Sequence, residues 1–346
     1  MQNLTRRERV RRAMHYQSVD KVPVRYYYCP VGYYEHGDKL NDLYATLPGD
    51  FEPFRRVPPC GPEKDDYDKN GRYHAFRTDA WGVKWEYRIY GVAGIPLEHP
   101  ISCPEEAEVY RTPPHAPLEG PDFDAVARQV AELKQQDYPA MLSAGNLYEK
   151  MIALYGDENV LCDMMLEEVG INKLADRIIE YDEALLKQAV KAGADAISFG
   201  DDYGTERSLL MSPELWRSFF KPRLKRLFSS AVDKGLDIHF HSCGKVWDIL
   251  PDLKDIGVTS IWPQLPAYNM EQLAKYCREL GLAVEVHTDR ANTMTYGTPQ
   301  QVRDLVRREF DTFRMMDGGS WFYIEADNDF PFANLEALVN TIAEYR

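Results

Sequence analysis

From about residue 138 to the C-terminus, runs typical of buried β-strands alternate with runs typical of α-helices. The predicted strands cover 140–144, 196–200, 237–242, 260–263, 283–287 and 321–326. The predicted helices cover 146–156, 167–191, a segment from 213, 246–255, 270–280, 299–316 and 332–345. Parallel strands need long crossover connections, usually helical, so strict alternation predicts a parallel sheet covered by helices.

An earlier strand opens at Val22-Pro23-Val24 and runs through Cys29, which brings the predicted strands to seven. Seven strands in this pattern indicate a (β/α)8 TIM-type barrel with one strand missed, or a distorted barrel. A doubly wound open sheet is the alternative, but no G-x-G-x-x-G follows the first strand. Because such barrels often run this long as one domain, we expect residues 1–346 to form a single domain.

The N-terminal part, residues 1–136, does not follow the alternating pattern of residues 137–346. A helix is predicted over 1–20, where Thr5 and Glu8 form a T-x-x-E capping box. Residues 30–75 are rich in Pro, Gly, Tyr and Asp and predict irregular structure and short helices, a candidate lid. Alternating aromatic residues over 76–98 predict a β-hairpin, and a further helix is predicted over 122–136. We therefore expect a barrel with an N-terminal helical and irregular extension.

Composition excludes several classes of protein. The net charge of −14 argues against a nucleic-acid binder, which needs a basic face. No apolar run is long enough to span a bilayer, and no signal-peptide pattern follows the basic N-terminus. The six cysteines are scattered without a C-x-x-C pair, as expected in a reducing compartment. These features predict a cytoplasmic protein that binds neither nucleic acid nor membrane.

The run His241-Ser242-Cys243-Gly244 ends one predicted strand. Side chains two positions apart on a strand point the same way, so His241 and Cys243 lie roughly 6–7 Å apart on one face. An imidazole beside a thiolate suits zinc better than magnesium or calcium and forms half of a zinc site. The alternative is a buried His and Cys at the end of a core strand, with Gly244 in the turn.

Polar side chains follow five consecutive predicted strands. They are Asp201 and Asp202, His241 and Cys243, Gln264, His287 to Arg290, and Glu325 with Asp327. In βα-barrels the chemistry lies at the C-terminal ends of the strands. Although any one of these residues can be a helix cap or a solvated loop residue, their joint position predicts an active site at this rim.

A catalytic zinc site needs three protein ligands and one open position. The candidates that could join His241 and Cys243 are Glu325, Asp327, His287, Asp289 and Gln264, of which we favour Glu325 for its position at a strand end. Asp201 and Asp202 are candidate catalytic residues, as general acid or base or as ligands of a substrate hydroxyl. Because they are adjacent, at most one of them is expected to point inward.

Candidate substrate-binding residues lie at three strand ends. Tyr26 and Tyr28 belong to a run of tyrosines at the end of the first strand, where phenol rings line pockets with polar tips. Ordinary packing onto the barrel is the alternative for each of them. Gln264, His287 and Asp289 are the other candidates.

Further motifs recur along the chain. They are Thr5-x-x-Glu8-Arg9-Val10-x-x-Ala13, Asp20-Lys21-Val22-Pro23-Val24, Asp79-x-Trp81-Gly82-Val83-x-Trp85, Gly200-Asp201-Asp202-Tyr203-Gly204-Thr205-Glu206, Ser212-Pro213-Glu214-x-Trp216, Gly297-Thr298-Pro299-x-x-Val302 and Gly318-Gly319. Together with His241-Ser242-Cys243-Gly244, the sequence resembles the uroporphyrinogen decarboxylase superfamily over nearly its whole length. The resemblance implies a (β/α)8 barrel with its site at the C-terminal mouth.

The superfamily contains two chemistries, and the resemblance favours one. The decarboxylases carry an Arg-Gln-Ala-Gly-Arg stretch after the first strand, whereas this chain has Arg25-Tyr26-Tyr27-Tyr28-Cys29 there. The corrinoid-dependent methyltransferases and O-demethylases hold zinc with a His-x-Cys pair and a later Cys. His241 and Cys243 match the pair, but no cysteine follows Cys277, so either a carboxylate takes its place or the site is incomplete.

The resemblance therefore implies a zinc-dependent methyltransferase that moves a methyl group from a small donor to a separate corrinoid protein. The donor implied is a methoxylated aromatic compound. A metal-free decarboxylase is the first alternative, and a non-catalytic barrel that binds a small ligand is the second.

Overall fold

The structure, a computed structural model, describes residues 3–346. Its strands are β1 Val24–Tyr27, β2 Ala75–Thr78, β3 Lys84–Tyr87, β4 Ile95–Glu98, β5 Met141–Ser143, β6 Ala196–Gly200, β7 Asp237–Ser242, β8 Ser260–Pro263, β9 Ala283–His287 and β10 Ser320–Glu325. The seven strands predicted from the sequence are confirmed, and all of them pair in parallel. The predicted parallel sheet is therefore the centre of the fold.

The parallel sheet is an incomplete barrel. Its strand order is β1-β10-β9-β8-β7-β6-β5, so the first and last strands are neighbours, as in a closed barrel. Within the described residues, β1 and β5 are the two edges of this sheet, and no strand lies between them to close the barrel. The gap lies where a second barrel strand would stand, and the chain between β1 and β5 forms other structure instead. The distorted form of the TIM-type barrel is thus the correct one of the two predicted forms.

Helices surround the sheet. They are α1 Arg6–Met14, α2 Pro30–His36, α3 Asp38–Ala45, α4 Pro104–Val109, α5 Pro121–Gln135, α6 Tyr148–Tyr155, α7 Asp157–Met165, α8 Val169–Ala192, α9 Pro213–Val232, α10 Leu250–Asp255, α11 Met270–Leu280, α12 Pro299–Phe313 and α13 Phe332–Ala343. Ser212 and Thr298 cap α9 and α12, each before a proline in the first turn. In the described residues, no helix is both long and apolar enough to cross a bilayer.

The N-terminal part differs in detail from the prediction. The helix predicted over 1–20 covers only Arg6–Met14, and residues 1 and 2 lie outside the described residues. Residues 30–75 contain α2, α3 and irregular segments, and Gly32 of α2 lies directly against Ala326 beyond β10. The predicted hairpin over 76–98 is a three-stranded antiparallel sheet, β2-β3-β4.

Charged side chains cross the interior of the barrel beneath the C-terminal rim. Glu285 is fully buried, and its carboxylate lies 3.3 Å from Arg25 and 3.1 Å from His239, while the indole N–H of Trp321 donates to it at 2.6 Å. Burial alone would raise the pKa of Glu285, but the charges of Arg25 and His239 lower it to about 2. These contacts reach across the sheet interior from β1, β7 and β10, so the next inward residues of the same strands face the rim.

Candidate metal centre

Three potential metal ligands converge at the ends of β6 and β7. The ligand atoms of Asp202, His241 and Cys243 all lie within 4.8 Å of one another. His241 Nε2 lies 3.5 Å from Cys243 Sγ and 3.5 Å from Asp202 Oδ1. The predicted pair of His241 and Cys243 therefore does point to one place.

A hydrogen bond at Nδ1 orients the imidazole of His241 so that Nε2 faces Cys243 and Asp202. Nδ1 lies 2.9 Å from the carbonyl oxygen of Trp262, an acceptor, so Nδ1 carries the proton and donates it. Nε2 is then left with its lone pair toward Cys243 and Asp202. A backbone carbonyl that fixes the tautomer in this way is the usual support of a metal-binding histidine. Burial lowers the pKa of His241, which favours the neutral imidazole that a metal requires.

The distances fit zinc. Tetrahedral zinc, with bonds of about 2.3 Å to sulfur and about 2.0–2.1 Å to nitrogen, places these two ligand atoms about 3.5 Å apart. The separation of Cys243 Sγ and His241 Nε2 is 3.5 Å. A thiolate, an imidazole and a carboxylate also form a donor set that zinc accepts, with a fourth position left for a substrate or water.

The thiol of Cys243 needs a cation to ionise. Burial, followed by the neighbouring carboxylate of Asp202, raises the pKa of this thiol to about 12. Without a positive charge the sulfur therefore remains protonated at neutral pH. A bound divalent metal reverses this effect, since a coordinating thiol is deprotonated outright.

Glu325 lies outside this group of candidate ligands. The sequence analysis favoured it as the third ligand because of its position at the end of β10, and the structure differs from that prediction. Its Oε1 lies 3.0 Å from His287 Nε2 and 3.2 Å from Arg290 Nη1. Burial alone would raise the pKa of Glu325, but the charges and hydrogen bonds of these two partners lower it to about 2. Its carboxylate is thus already paired, and Asp202 supplies the carboxylate of the cluster.

Asp201 and Asp202 point in opposite directions. Asp201 is fully buried and accepts hydrogen bonds from the backbone N–H groups of residues 147, 148 and 149 at 2.8–3.2 Å, at the start of α6. Tyr203 donates its hydroxyl proton to the same carboxylate at 2.5 Å. Asp202 instead accepts from the N–H of Cys243 at 2.7 Å. Asp201 therefore caps a helix, whereas Asp202 faces the cluster.

A cavity of about 140 Å³ opens beside His241 and Cys243. Three predicted substrate-binding residues, Gln264, His287 and Asp289, line it. Asp289 also caps the short π-helical turn Arg290–Met294, because its Oδ1 accepts from the N–H groups of Ala291 and Asn292 at 3.1 Å. Arg290, which the sequence places at this rim without a specific role, lines the cavity too.

Tyr26 and Tyr28, the other predicted substrate contacts, lie apart from this cavity. The hydroxyl of Tyr26 donates to the carbonyl of Leu47 at 2.7 Å, and its ring packs 4.5 Å from that of Tyr44. Tyr28 stacks on Tyr33. Neither residue is among those that line the cavity.

The inward tyrosine of β1 is instead Tyr27, whose ring stacks on Tyr323 of β10 at 6.2 Å. The ring of Tyr323 lies 4.5 Å from that of Trp262, and Trp262 lies 4.0 Å from His241. We call these three residues, Tyr27, Tyr323 and Trp262, the aromatic wall. A sequence signal for Trp262 and Tyr323 does exist. Side chains two residues apart on β8 and on β10 share one face of the strand, and the parallel pairing of the strands sets which face continues from His241.

Glu149 lies near the cluster but was not predicted from the sequence. It lies in the first turn of α6, and burial together with the nearby carboxylates of Asp202 and Asp201 raises its pKa to about 8. Only the tertiary packing of α6 against the end of β6 brings it here, and no local motif marks it.

A larger cavity, of about 720 Å³, lies at the opposite end of the strands, beside α1 and the starts of β5, β6 and β7. Four of the charged groups that line it form ion pairs with one another. Arg7 lies 2.6 Å from Asp195, and His15 lies 2.9 Å from Asp237. This end of a barrel serves stability rather than chemistry, so we place the functional site at the other end.

One solved structure is similar to this chain over nearly its whole length. A methyltransferase from Methanosarcina mazei is similar to this chain with a TM-score of 0.65 at 18% identity, and the match covers 99% of each chain. A B12-independent methionine synthase from a Shewanella species gives a TM-score of 0.40 at 13% identity, over 81% of this chain and 74% of that one. None of the curated protein sequences matches this chain.

The family model described as uroporphyrinogen decarboxylase (URO-D) matches residues 78–345. That range contains β3 to β10, both aspartates at the end of β6, and the whole cluster of Asp202, His241 and Cys243. This chain belongs to the uroporphyrinogen decarboxylase family.

Proposed function

We propose that this protein is a zinc-dependent methyltransferase that transfers a methyl group from a small methoxylated aromatic donor to the corrinoid of a separate protein. The observation that carries the proposal is the cluster of Asp202, His241 and Cys243, with His241 Nε2 at 3.5 Å from each of the other two ligand atoms. The fold that the chain shares with a methyltransferase is compatible with methyl transfer.

Different residues of the site would bind the metal and the donor. His241, Cys243 and Asp202 would hold zinc, and zinc, when bound, supplies a Lewis acid for the ether oxygen of the donor. An ether oxygen is a poor leaving group unless its developing negative charge is stabilised. The ring of Trp262 borders the cavity next to His241 and offers a stacking surface for an aromatic donor.

Gln264 is placed to assist the departing oxygen. Its side-chain Oε1 accepts the N–H of Gly244 at 2.8 Å, which fixes the orientation of the amide. The two amide N–H groups are then available to an oxygen of the donor in the cavity that Gln264 lines. His287, held by Glu325, borders the same space.

The size of the cavity limits the donor. About 140 Å³ is close to the volume of about 150 Å³ that holds a benzene molecule in an engineered protein cavity. A single substituted ring therefore fits better than a porphyrinogen. The corrinoid acceptor does not need to fit inside, since the methyl group must only face the mouth, where a partner protein would dock.

Methyl transfer from methoxylated benzenes to free cob(I)alamin tests the proposal. We expect zinc-loaded protein to release the corresponding phenol and form methylcobalamin in equal amounts. Cys243→Ala should abolish both products, whereas Cys162→Ala, at an exposed cysteine, should leave them unchanged. A zinc-loaded protein that transfers no methyl group from any single-ring ether would contradict the proposal.

A metal-free decarboxylase is the second candidate, and membership of the family favours it. Such an enzyme needs cations for the carboxylates of its substrate, but the rim near Arg290 carries two carboxylates, Glu325 and Asp327, within 3.3 Å of that arginine. Carbon dioxide release from a porphyrinogen by chelator-treated protein would establish this function instead.

A further inference from the structure

The loop that follows Cys243 is held by four successive backbone N–H groups, and each donates to a different partner. The N–H of Cys243 donates to Asp202 at 2.7 Å and that of Gly244 to Gln264 at 2.8 Å. The N–H of Lys245 donates to the backbone carbonyl of residue 205 at 2.7 Å. The N–H of Val246 donates to the hydroxyl of Tyr268 at 2.8 Å.

Tyr268 makes a second contact with this loop. Its hydroxyl accepts from Val246 and donates to the carbonyl oxygen of Gly244 at 3.0 Å. The hydroxyl of Tyr268 thus bridges Gly244 and Val246, the two ends of the turn that follows Cys243. Tyr268 follows the short 3-10 turn Leu265–Ala267 beyond β8, so it connects this turn to the end of β7.

Tyr268 does not reach the substrate space. The cavity beside His241 and Cys243 is lined by Gln264, Leu265 and Pro266, but Tyr268 is not among its lining residues. Burial raises the pKa of the Tyr268 phenol, which keeps its hydroxyl proton available for the carbonyl of Gly244. Its contacts with the site therefore pass through the backbone of the loop alone.

We propose that Tyr268 is a positioning residue of the metal centre, which fixes the direction of the Cys243 side chain by clamping the loop from Gly244 to Val246. The proposal rests on the zinc site proposed above. Residues that orient metal ligands typically contribute 10–100-fold to metal affinity, because a ligand held in place loses less freedom on binding. We expect the lower end of that range, about tenfold, since Tyr268 acts on the backbone next to the ligand.

Tyr276 offers a matched control. Both tyrosines pack on the indole of Trp247, Tyr268 with a centroid distance of 6.4 Å and Tyr276 with one of 4.7 Å. Within residues 3–346, the hydroxyl of Tyr276 makes no hydrogen bond to protein. Tyr→Phe therefore removes one hydroxyl from the same aromatic cluster in each case, but only Tyr268→Phe removes hydrogen bonds to the loop, those of Val246 and Gly244.

The test measures zinc affinity in the full chain by competition with a chromophoric chelator, for wild type, Tyr268→Phe and Tyr276→Phe. The sulfur-to-cobalt absorption band of the Co²⁺-substituted proteins reports the geometry of Cys243 independently of activity. We expect Tyr268→Phe to bind zinc about tenfold more weakly with a shifted band. Tyr276→Phe should match wild type in both measurements.

Two outcomes would overturn the proposal in distinguishable ways. If wild type binds zinc and Tyr268→Phe binds it equally well, Tyr268 has no positioning role, and the zinc site still stands. If wild type itself binds no zinc, the proposed function fails and this inference fails with it. Where Tyr268→Phe does not accumulate as folded protein, hydrogen exchange of the Val246 amide in wild type decides. Slower exchange on addition of zinc supports the clamp, and unchanged exchange overturns it.

Discussion

Gly244 and Gly204 lie backbone against backbone, so that a Cβ on Gly244 would overlap the main chain of Gly204. This contact joins the loop after β7, which carries Cys243, to the loop after β6, which carries Asp202. Gly244 also has a φ of +70°, in the left-handed region that side chains disfavour. Two candidate ligands from different strands can therefore approach each other because neither loop has a side chain at the crossing.

Gly244→Ala should separate the two loops and weaken zinc binding. Gly235→Ala is the matched control, since Gly235 has the same φ of +70° but no atom within 4 Å of the place that an alanine methyl group would occupy. Both variants carry the strain of a left-handed alanine, and overpacking should cost Gly244→Ala about 1–3 kcal/mol more. Urea unfolding and zinc content measure the two effects. Equal zinc content in both variants would contradict this account of the crossing.

Asp201→Asn and Asp202→Asn should affect two different properties, the first the stability of the fold and the second the affinity for zinc. Asp201→Asn replaces one of the two oxygens that accept from the start of α6 by an amide donor, so we expect a loss of about 1–3 kcal/mol in the free energy of unfolding. Asp202→Asn keeps an oxygen for the N–H of Cys243 but removes the charge, so zinc affinity should fall at nearly unchanged metal-free stability. Chemical denaturation and chelator competition distinguish them. Equal losses of stability would contradict the assignment.

The difference between these aspartates shows how much the sequence alone could predict. Adjacent residues alternate sides, so the sequence predicted that at most one of the two points inward, but it contained nothing to say which. The same limit applies to the tyrosines of β1. A run of Tyr26, Tyr27 and Tyr28 has no alternation of residue type, so the sequence does not show which of them points inward, and in the structure it is Tyr27 that stacks on Tyr323.

Glu309→Gln should remove a pH dependence of stability. Glu309 is buried on α12, and burial raises its pKa from 4.5 to about 8, while the hydroxyl of Thr288 donates to it at 3.0 Å. The folded state thus holds a proton that the unfolded state releases, so its contribution is complete below pH 4.5 and is lost as the pH rises to about 8. The slope is at most about 1.4 kcal/mol per pH unit.

The difference in unfolding free energy between wild type and Glu309→Gln, measured from pH 4 to pH 9, isolates this group. The variant should gain stability relative to wild type as the pH rises. Glu336→Gln, at an exposed position on α13, should follow wild type throughout. A pH-independent difference between wild type and Glu309→Gln would contradict the prediction.

Glu325→Gln distinguishes the two candidate carboxylates of the metal centre. Because Glu325 pairs with His287 and Arg290, the variant should retain zinc within about twofold of wild type, well below the 10–100-fold loss typical of a disturbed metal shell. It should change the affinity for the donor instead, since both partners border the cavity. Zinc affinity and the Michaelis constant for the donor measure these effects. Loss of zinc comparable to that in Asp202→Asn would restore Glu325 as a ligand.

The gap in the barrel and the position of Asp202 beside His241 and Cys243 could not be predicted from the sequence. Periodicity identifies strands but not their neighbours, so it predicted seven strands without showing that β1 and β5 stay unpaired. The same limit applies to Glu149, which only the packing of α6 brings toward Asp202. The pair of His241 and Cys243 was predictable because both lie on one strand, two residues apart.

The metal content of protein purified without added metal or a histidine tag tests the central claim most directly. The account predicts about one zinc per chain, the content of a single three-ligand site, in wild type and in Cys162→Ala. It also predicts loss of that zinc in Cys243→Ala. A metal-free wild type that fails to bind added zinc would contradict it, and would leave His241 and Cys243 as ordinary residues at the end of a core strand.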